Sequence, residues 1–326
     1  MGDDRAPGLA TRAHFLHLEY PDVAMVNYLL EGLPKGEGPG MVPASGGLPI
    51  ADGVVRIPFH ETPHASIIIP TLDRPTSLRR CFKSIAQQSL REFEVILVTK
   101  KGELARLRNE GASHAKGDIL IFIDDDVYCP PEWLKEITLP FVEPSVAGAS
   151  GPAVIREEFK AKRDIFRYPR IKRLYDWLFL EGKAHLPGHI TRAGTWTTGA
   201  CMESCSYEGG VDFAEACNMA FRRGAFVDCG GFDTRFGGIG DWSEPDLAFR
   251  IRAHTLGKIW FTPRAKLYHE PSTTGAYLSR EQTGARLTNY LLFAGRWVDP
   301  CFRHTLYKLF LRGYFTWKEI RWHLSH

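Results

Sequence analysis

Gly117-Asp118-Ile119-Leu120-Ile121-Phe122-Ile123-Asp124-Asp125-Asp126 runs on into Pro130-Pro131-Glu132-Trp133-Leu134. The apolar run from Ile119 to Ile123 reads as a strand buried on both faces, as in a parallel sheet. It leads directly into three carboxylates. Side chains alternate along an extended chain, so Asp124 and Asp126 are expected on one side and Asp125 on the other. A pair of carboxylates at a strand end suits a hard divalent cation that also holds phosphate oxygens. Acidic strand ends are also common as solvated, inert features. What favours a site is the strand itself, because α/β folds bind ligands at the carboxyl ends of their strands. Pro130-Pro131 stops the extended chain, and Glu132 onward can start a short helix.

Working outward, Ala65-Ser66-Ile67-Ile68-Ile69-Pro70 reads as an earlier core strand, and Phe93 to Val98 as the one between. Leu78, Cys81, Phe82 and Ile85 recur at helical spacing after the first, and a second helix is expected over about 103–115. Strand, helix, strand, helix, strand at this pace predicts a doubly wound parallel sheet. Val54–Pro58 adds an expected edge strand, residues 146–155 a further strand, and His189–Thr198 another. Residues 1–63 read as an extension, with an amphipathic stretch over 11–32 and a Gly/Pro-rich linker over 32–53. Basic and aromatic residues alternate through 156–183, from Arg163 and Phe166 to Tyr175, Trp177 and Phe179. This suits either a helix with one packed face or an acceptor- or membrane-facing segment.

Composition bounds the class. At 326 residues the chain can bury a large core, and 44% hydrophobic with 24% charged residues is ordinary for a globular protein. A net charge of +3 is too small to argue for nucleic acid as the main partner, and none is expected. The seven cysteines form no CxxC pair, so neither a disulfide framework nor a zinc site is expected. The acidic start Met1-Gly2-Asp3-Asp4 has no hydrophobic segment, and the expected location is cytoplasmic, with a peripheral position at the inner membrane face. Residues 301–326 mix Phe302, Leu309, Trp317 and Trp322 with five Lys or Arg and one Glu. They suit an interfacial helix on anionic lipid or a helix packed on the preceding domain.

Five stretches in order resemble the family 2 glycosyltransferases over roughly 65–272: Ser66–Thr71 with Asp73-Arg74; Arg108–Gly111 with Ala115–Asp118; Asp124–Asp126; Asn218–Arg222 before Gly230–Asp233; and Glu244–Leu247 before Arg250. The resemblance implies a GT-A type, Rossmann-like and mostly parallel sheet flanked by helices. It implies a catalytic domain over 64–272, with a nucleotide-binding half (64–155) and an acceptor half (156–272), then a helical C-terminal region (273–326). It also implies an inverting transferase using a nucleoside-diphosphate sugar, a UDP-sugar first, with a glycan or lipid-linked acceptor and Mn²⁺ or Mg²⁺.

By position, the resemblance places Thr71, Asp73, Arg74, Thr99, Arg108, Asp124, Asp125 and Asn218 around the nucleotide sugar. Asp124 and Asp126 supply the metal-binding pair, which His269 completes in some members. Trp242 and Asp241 fall on the acceptor side. Where the family usually has an aspartate after the second strand, this chain has Val98-Thr99-Lys100. The acidic segment Glu244-Pro245-Asp246 matches the place of the catalytic base. Its two acids diverge by about 200° on a helix, so they cannot both face an acceptor. Pro245 is best tolerated in a first turn, which puts Glu244 at the helix start, as the expected base, and leaves Asp246 to hold that start or an acceptor hydroxyl. Two other readings compete. A sugar-phosphate nucleotidyltransferase would be expected to carry a Gly-rich loop after its first strand, unlike Thr71-Leu72-Asp73-Arg74. A non-catalytic nucleotide-sugar- or glycan-binding protein would not need to keep both carboxylates and a base.

Overall fold

The computed structural model describes residues 21–72, 74–155, 168–197, 199–201, 203–271 and 283–325. Its frame is a nine-stranded sheet in the order β1-β2-β4-β3-β5-β10-β7-β11-β9. The strands are β1 (Leu48–Ala51), β2 (Val54–Pro58), β3 (Ala65–Pro70), β4 (Phe93–Val98), β5 (Ile119–Phe122), β7 (Val146–Ser150), β9 (Gly209–Val211), β10 (Met219–Arg222) and β11 (Lys258–Phe261). Six of them, β1, β3, β4, β5, β7 and β11, run one way, and β2, β9 and β10 run the other. The sheet is therefore mostly parallel in direction, as expected. It is not purely so, because β10 enters antiparallel between β5 and β7.

Alternation along the central strands loads both faces. Ile67, Ile69, Val95, Leu97, Ile119 and Ile121 point into one core. It is covered by α1 (Pro21–Leu30), α2 (Pro75–Ala86) and α4 (Trp133–Thr138). Ile68, Ile96, Leu120 and Phe122 point into the other, under α3 (Leu104–Ser113), α6 (Arg223–Asp228) and α7 (Ser243–Thr255). The one carboxylate inside β4, Glu94, is answered on three sides. Ser66 Oγ and Lys116 N donate to it at 2.6 Å each, and Arg56 Nε lies 2.9 Å away. Gly117 passes so close to β3 that a Cβ there would come within 2.6 Å of the Ala65 carbonyl carbon. Only glycine lets β5 enter at that point.

A second sheet, β6-β12-β8, sits at the end of the first and consists of β6 (Val127–Tyr128), β8 (Ala153–Ile155) and β12 (Leu267–His269). The expected strand over 146–155 is thus two strands, split by Gly151-Pro152 and belonging to different sheets.

Three other expectations change. Val54–Pro58 is not the edge, because β1 pairs outside it. Residues 21–58 join the core instead of lying apart: Val26 and Leu29 are buried with Leu78 and Phe82. Residues 189–197 form no strand, and Thr198 lies outside the described residues. A single Ile190–Trp196 bridge closes a turn there, with Gly194 at φ 78°.

The chain closes with α5 (Pro169–Tyr175) and a π turn (Asp176–Leu180), and later α8 (Thr283–Trp297) and α9 (Phe302–Ser325). Phe179, Trp242, Tyr290, Phe293, Tyr307, Leu311 and Phe315 form a third core among them. One face of α9 is therefore packed, so the helix does not lie wholly free for a membrane. Arg163, Phe166 and Arg167 lie outside the described residues. No described helix is long and apolar enough to cross a membrane.

Candidate active site

A cleft of about 600 Å³ opens where β3 and β5 end, and its wall is completed by the chain before β10 and the start of α7. The aspartate run occupies the turn from β5 to β6, so a tight turn, more than strand alternation, decides where each side chain points. Asp125 is turned inward and fully buried. Thr71 Oγ1 donates to it at 2.5 Å and Arg74 Nη2 lies 2.9 Å away. Burial pushes the Asp125 carboxyl up to about 7, against the pull of Arg74 and the Thr71 hydroxyl. Arg74 also donates to Asp126 at 3.2 Å, which locks the turn from the β3 side.

Asp124 and Asp126 face the cleft, and β12 brings a third group to them. His269 pairs across the ladder with Val127, the residue after Asp126, and Glu270 N donates to Asp126 O at 2.8 Å. His269 Nε2 then lies 3.1 Å from Asp126 Oδ1. Burial of the imidazole disfavours its charged form, but the Asp126 carboxylate outweighs this and holds its pKa above the ordinary histidine value. One ligand atom from each of Asp124, Asp126 and His269 falls within 4.8 Å of the others. Two carboxylate oxygens and an imidazole nitrogen at that spacing fit a divalent cation.

Arg108, on α3, also lines the cleft and is almost fully buried. Its Nη1 donates to Glu244 at 2.7 Å, its Nη2 donates to Ala216 O at 3.0 Å, and the same Nη2 lies 3.7 Å from Asp124. The Phe232 ring lies 5.3 Å below the guanidinium. Arg108 thus links the metal-type cluster to the acidic helix. Glu244 is the second residue of α7, with Pro245 in the first turn, as the spacing predicts. Burial raises its pKa and Arg108 opposes that rise. The entry to α7 is strained: Trp242, at the N-cap, holds φ 68°, a region that non-glycine residues rarely occupy.

Glu215 was not anticipated from the sequence. It lines the same cleft, its Oε1 is buried without a hydrogen-bond partner, and its backbone is fixed by Ser150 Oγ and Asn218 N. The available signal was a lone acid inside the apolar run Phe213–Cys217. Burial, followed by the repulsion of Glu244, pushes its carboxyl up to about 7. A carboxyl raised on folding stabilises the fold fully below its unfolded value near 4.5, and that contribution is lost as pH rises to about 7. Glu215→Gln cannot ionise, so its melting temperature relative to native should be higher at pH 8 than at pH 5. A pH-independent difference between the two would contradict this environment for Glu215.

Several predicted residues lie elsewhere. Thr99 does not line the cleft; its hydroxyl donates to Gly53 O at 3.3 Å, behind β4. Asn218 is fully buried. It accepts from Trp133 Nε1 and donates to Pro152 O and Ala265 O, so both ends of its amide already tie segments together. Asp246 points away from the cleft into a wholly buried site, where Arg250 Nε, Arg296 Nη1 and Trp297 Nε1 donate to it at 2.8, 2.6 and 2.9 Å. Trp242 has only an edge on the cleft. Its indole donates to Gly194 O, and its ring packs on Trp196 and Tyr290 in the third core. Asp241 lines the cleft and accepts from Arg286 Nε at 2.8 Å. Asp73 lies outside the described residues.

The sequence profile of glycosyl transferase family 2 matches residues 99–194, which include Arg108 and the aspartate run. Over 251 residues the chain is 28% identical to the O-antigen biosynthesis protein RfbC of Myxococcus xanthus, covering 68% of this chain and 18% of that one. Over 173 residues it is 24% identical to a glucosyl-dolichyl phosphate glucuronosyltransferase of Haloferax volcanii, covering 50% of this chain and 46% of that one. The chain therefore spans less than half the length of these curated relatives. Among solved structures, a mannosyltransferase from Pyrobaculum calidifontis in complex with GDP-Man and Mn²⁺ is similar at a TM-score of 0.46 and 15% identity, over 94% of this chain and 79% of that one. GalNAc-T7 with UDP, GalNAc and Mn²⁺ is similar at 0.49 and 14%, over 74% and 49%.

Proposed function

We propose that this chain, whose residues 99–194 match the glycosyl transferase family 2 profile, acts as a member of that family, moving a sugar from a nucleoside-diphosphate donor, a UDP-sugar first, to a hydroxyl of a saccharide or lipid-linked acceptor, with inversion. The observation that carries the reading is one cleft holding Asp124, Asp126 and His269 at one end and Glu244 at the other, joined by Arg108. In this proposal Asp124, Asp126 and His269 hold a divalent cation, Mn²⁺ or Mg²⁺. When bound, such an ion stabilises charge building on a diphosphate leaving group. Arg74 and Thr71 fix the aspartate turn from behind by holding Asp125. Arg108 lies near enough to the same cluster to add positive charge there, and its pairing with Glu244 aims that carboxylate into the cleft. Glu244 accepts the proton of the acceptor hydroxyl as it attacks the anomeric carbon. Asp241 and the edge of Trp242 border the acceptor side. The catalytic unit is taken as 64–272, braced by the strands before it and the helices after it.

The loop after β3 supports this over nucleotidyl transfer. Its Arg74 is spent on carboxylates, and Thr71-Leu72-Asp73-Arg74 offers no glycine-lined cradle for a triphosphate. The test is a thermal-shift series with UDP, GDP and dTDP, each with and without Mn²⁺ or Mg²⁺. A ligand that binds only the folded state raises the melting temperature. One diphosphate should do so in a metal-dependent way, and Asp126→Ala should abolish the metal dependence while keeping a cooperative melt. Equal metal-dependent shifts in native and variant would sink the metal assignment.

A further inference from the structure

α5 is unusual in having no buried residue. Short helices are held mainly by packing an apolar face, and this one, only seven residues long, packs the ring of its last residue, Tyr175, on the third core and buries no residue fully. Its apolar residues point outward: Leu174 is 55% exposed, and Trp177 in the following turn is 64% exposed. Exposed Arg170, Lys172 and Arg173 directly precede them.

The segment does not stand alone. The Tyr175 ring packs against Tyr307 and Phe310 of α9. Arg303 donates to the carbonyls of Trp177 and Leu178, and its guanidinium lies 5.9 Å from the Trp177 ring centre. Phe302, the residue before Arg303, is 76% exposed, and Leu309, 57% exposed, follows two turns along the same helix. At helical spacing Phe302 and Leu309 fall on the face of α9 opposite the buried Tyr307 and Leu311.

Charge decides what fits it. Arg170, Lys172, Arg173, Arg303, Lys308 and Arg312 carry six positive charges, whereas Asp176 is the one carboxylate within 168–177 and none occurs within 302–317. The whole chain has 41 Lys and Arg against 38 Asp and Glu, so this patch concentrates its surplus. Aromatic and aliphatic tips set among unopposed Lys and Arg match the boundary between anionic headgroups and acyl chains. A nucleic acid would leave the aliphatic tips without partners.

We propose that α5, the turn after it and the outer face of α9 form one docking surface for an anionic lipid bilayer. This goes beyond the proposed reaction, since docking does not depend on which sugar is moved. It also joins into one surface two stretches that the sequence offered separately, the basic and aromatic segment over 156–183 and the C-terminal helix.

The test uses the full chain with vesicles of phosphatidylcholine alone or mixed with phosphatidylglycerol, read by co-sedimentation at low and high salt. Truncating α9 would remove the buried Tyr307, Leu311 and Phe315, so point substitutions on α5 are the cleaner perturbation. The native protein should pellet with anionic vesicles, about tenfold less with neutral ones, and be released by salt. Arg170→Glu/Lys172→Glu/Arg173→Glu and, separately, Leu174→Ser/Trp177→Ser should each lower the bound fraction about tenfold while melting as the native protein does. Neither set alters a buried group, so the nucleotide-dependent thermal shift should also stay native. That shift fails only if the reaction is misassigned. No binding to anionic vesicles, equal binding to neutral ones, or native binding by both variants would overturn the proposal. So would a native dimer that these substitutions dissociate, because the face would then be an interface between copies.

Discussion

Glu244→Gln is expected to lower the rate of sugar transfer by about 10²–10⁴ while leaving metal-dependent nucleotide binding near native. Glutamine keeps the shape of the side chain and an oxygen for Arg108 Nη1, now 2.7 Å from the carboxylate. The metal-type cluster and the Arg108 contacts to Ala216 and Asp124 are therefore retained, and only the ability to take a proton is lost. The wild-type rate should rise with pH through the Glu244 ionisation, at a pH above that of an ordinary glutamate. Burial favours the neutral acid, and Arg108 offsets only part of that. Transfer kinetics across pH for both proteins check the two statements together. A Gln variant with most of its rate intact would remove Glu244 from the role.

The neighbouring acid should behave differently. Asp246→Ala is expected to destabilise the fold by about 3–5 kcal/mol, the range for breaking a buried ion pair from one side. It would leave Arg250, Arg296 and the Trp297 indole without the carboxylate to which all three donate. Urea unfolding of this variant and of Glu244→Gln side by side makes the contrast: a large loss of stability in the first, little in the second. Native stability in Asp246→Ala, together with lost transfer, would move the base to Asp246.

Much of the frame was legible because local chemistry and long-range packing agree. Ile119–Ile123 is apolar at every position, and the structure buries it on both faces. Pro245 in a first turn fixes how Glu244 enters its helix, and that geometry needs no tertiary information. Other positions depend on partners far away in sequence. The Asn218 amide is consumed by Trp133, Pro152 and Ala265, and nothing near residue 218 announces this. The placement of Asp246 depends on Arg296 and Trp297, some fifty residues on. His189–Thr198 looks extended in composition, but Gly194 in a left-handed conformation folds Ile190–Trp196 back on itself. The His269–Asp126 contact was suggested by family resemblance alone; the β6–β12 ladder supplies its physical reason.

The antiparallel strand β10 also constrains how the chain can reach this state. β5 pairs with β3 on one side and with β10 on the other, and Phe122 meets Met219 across nearly a hundred intervening residues. A nascent chain that stops before residue 209 would have β3, β4 and β5 available but no strand for the open flank of β5. That flank is an apolar row of unpaired backbone groups, the kind of edge that templates aggregation. Closing so distant a pairing is entropically slow. Residues 64–155 are thus not a separate folding unit. They should be poorly soluble as an isolated fragment, and synthesis of β10 marks the earliest point at which the sheet can close.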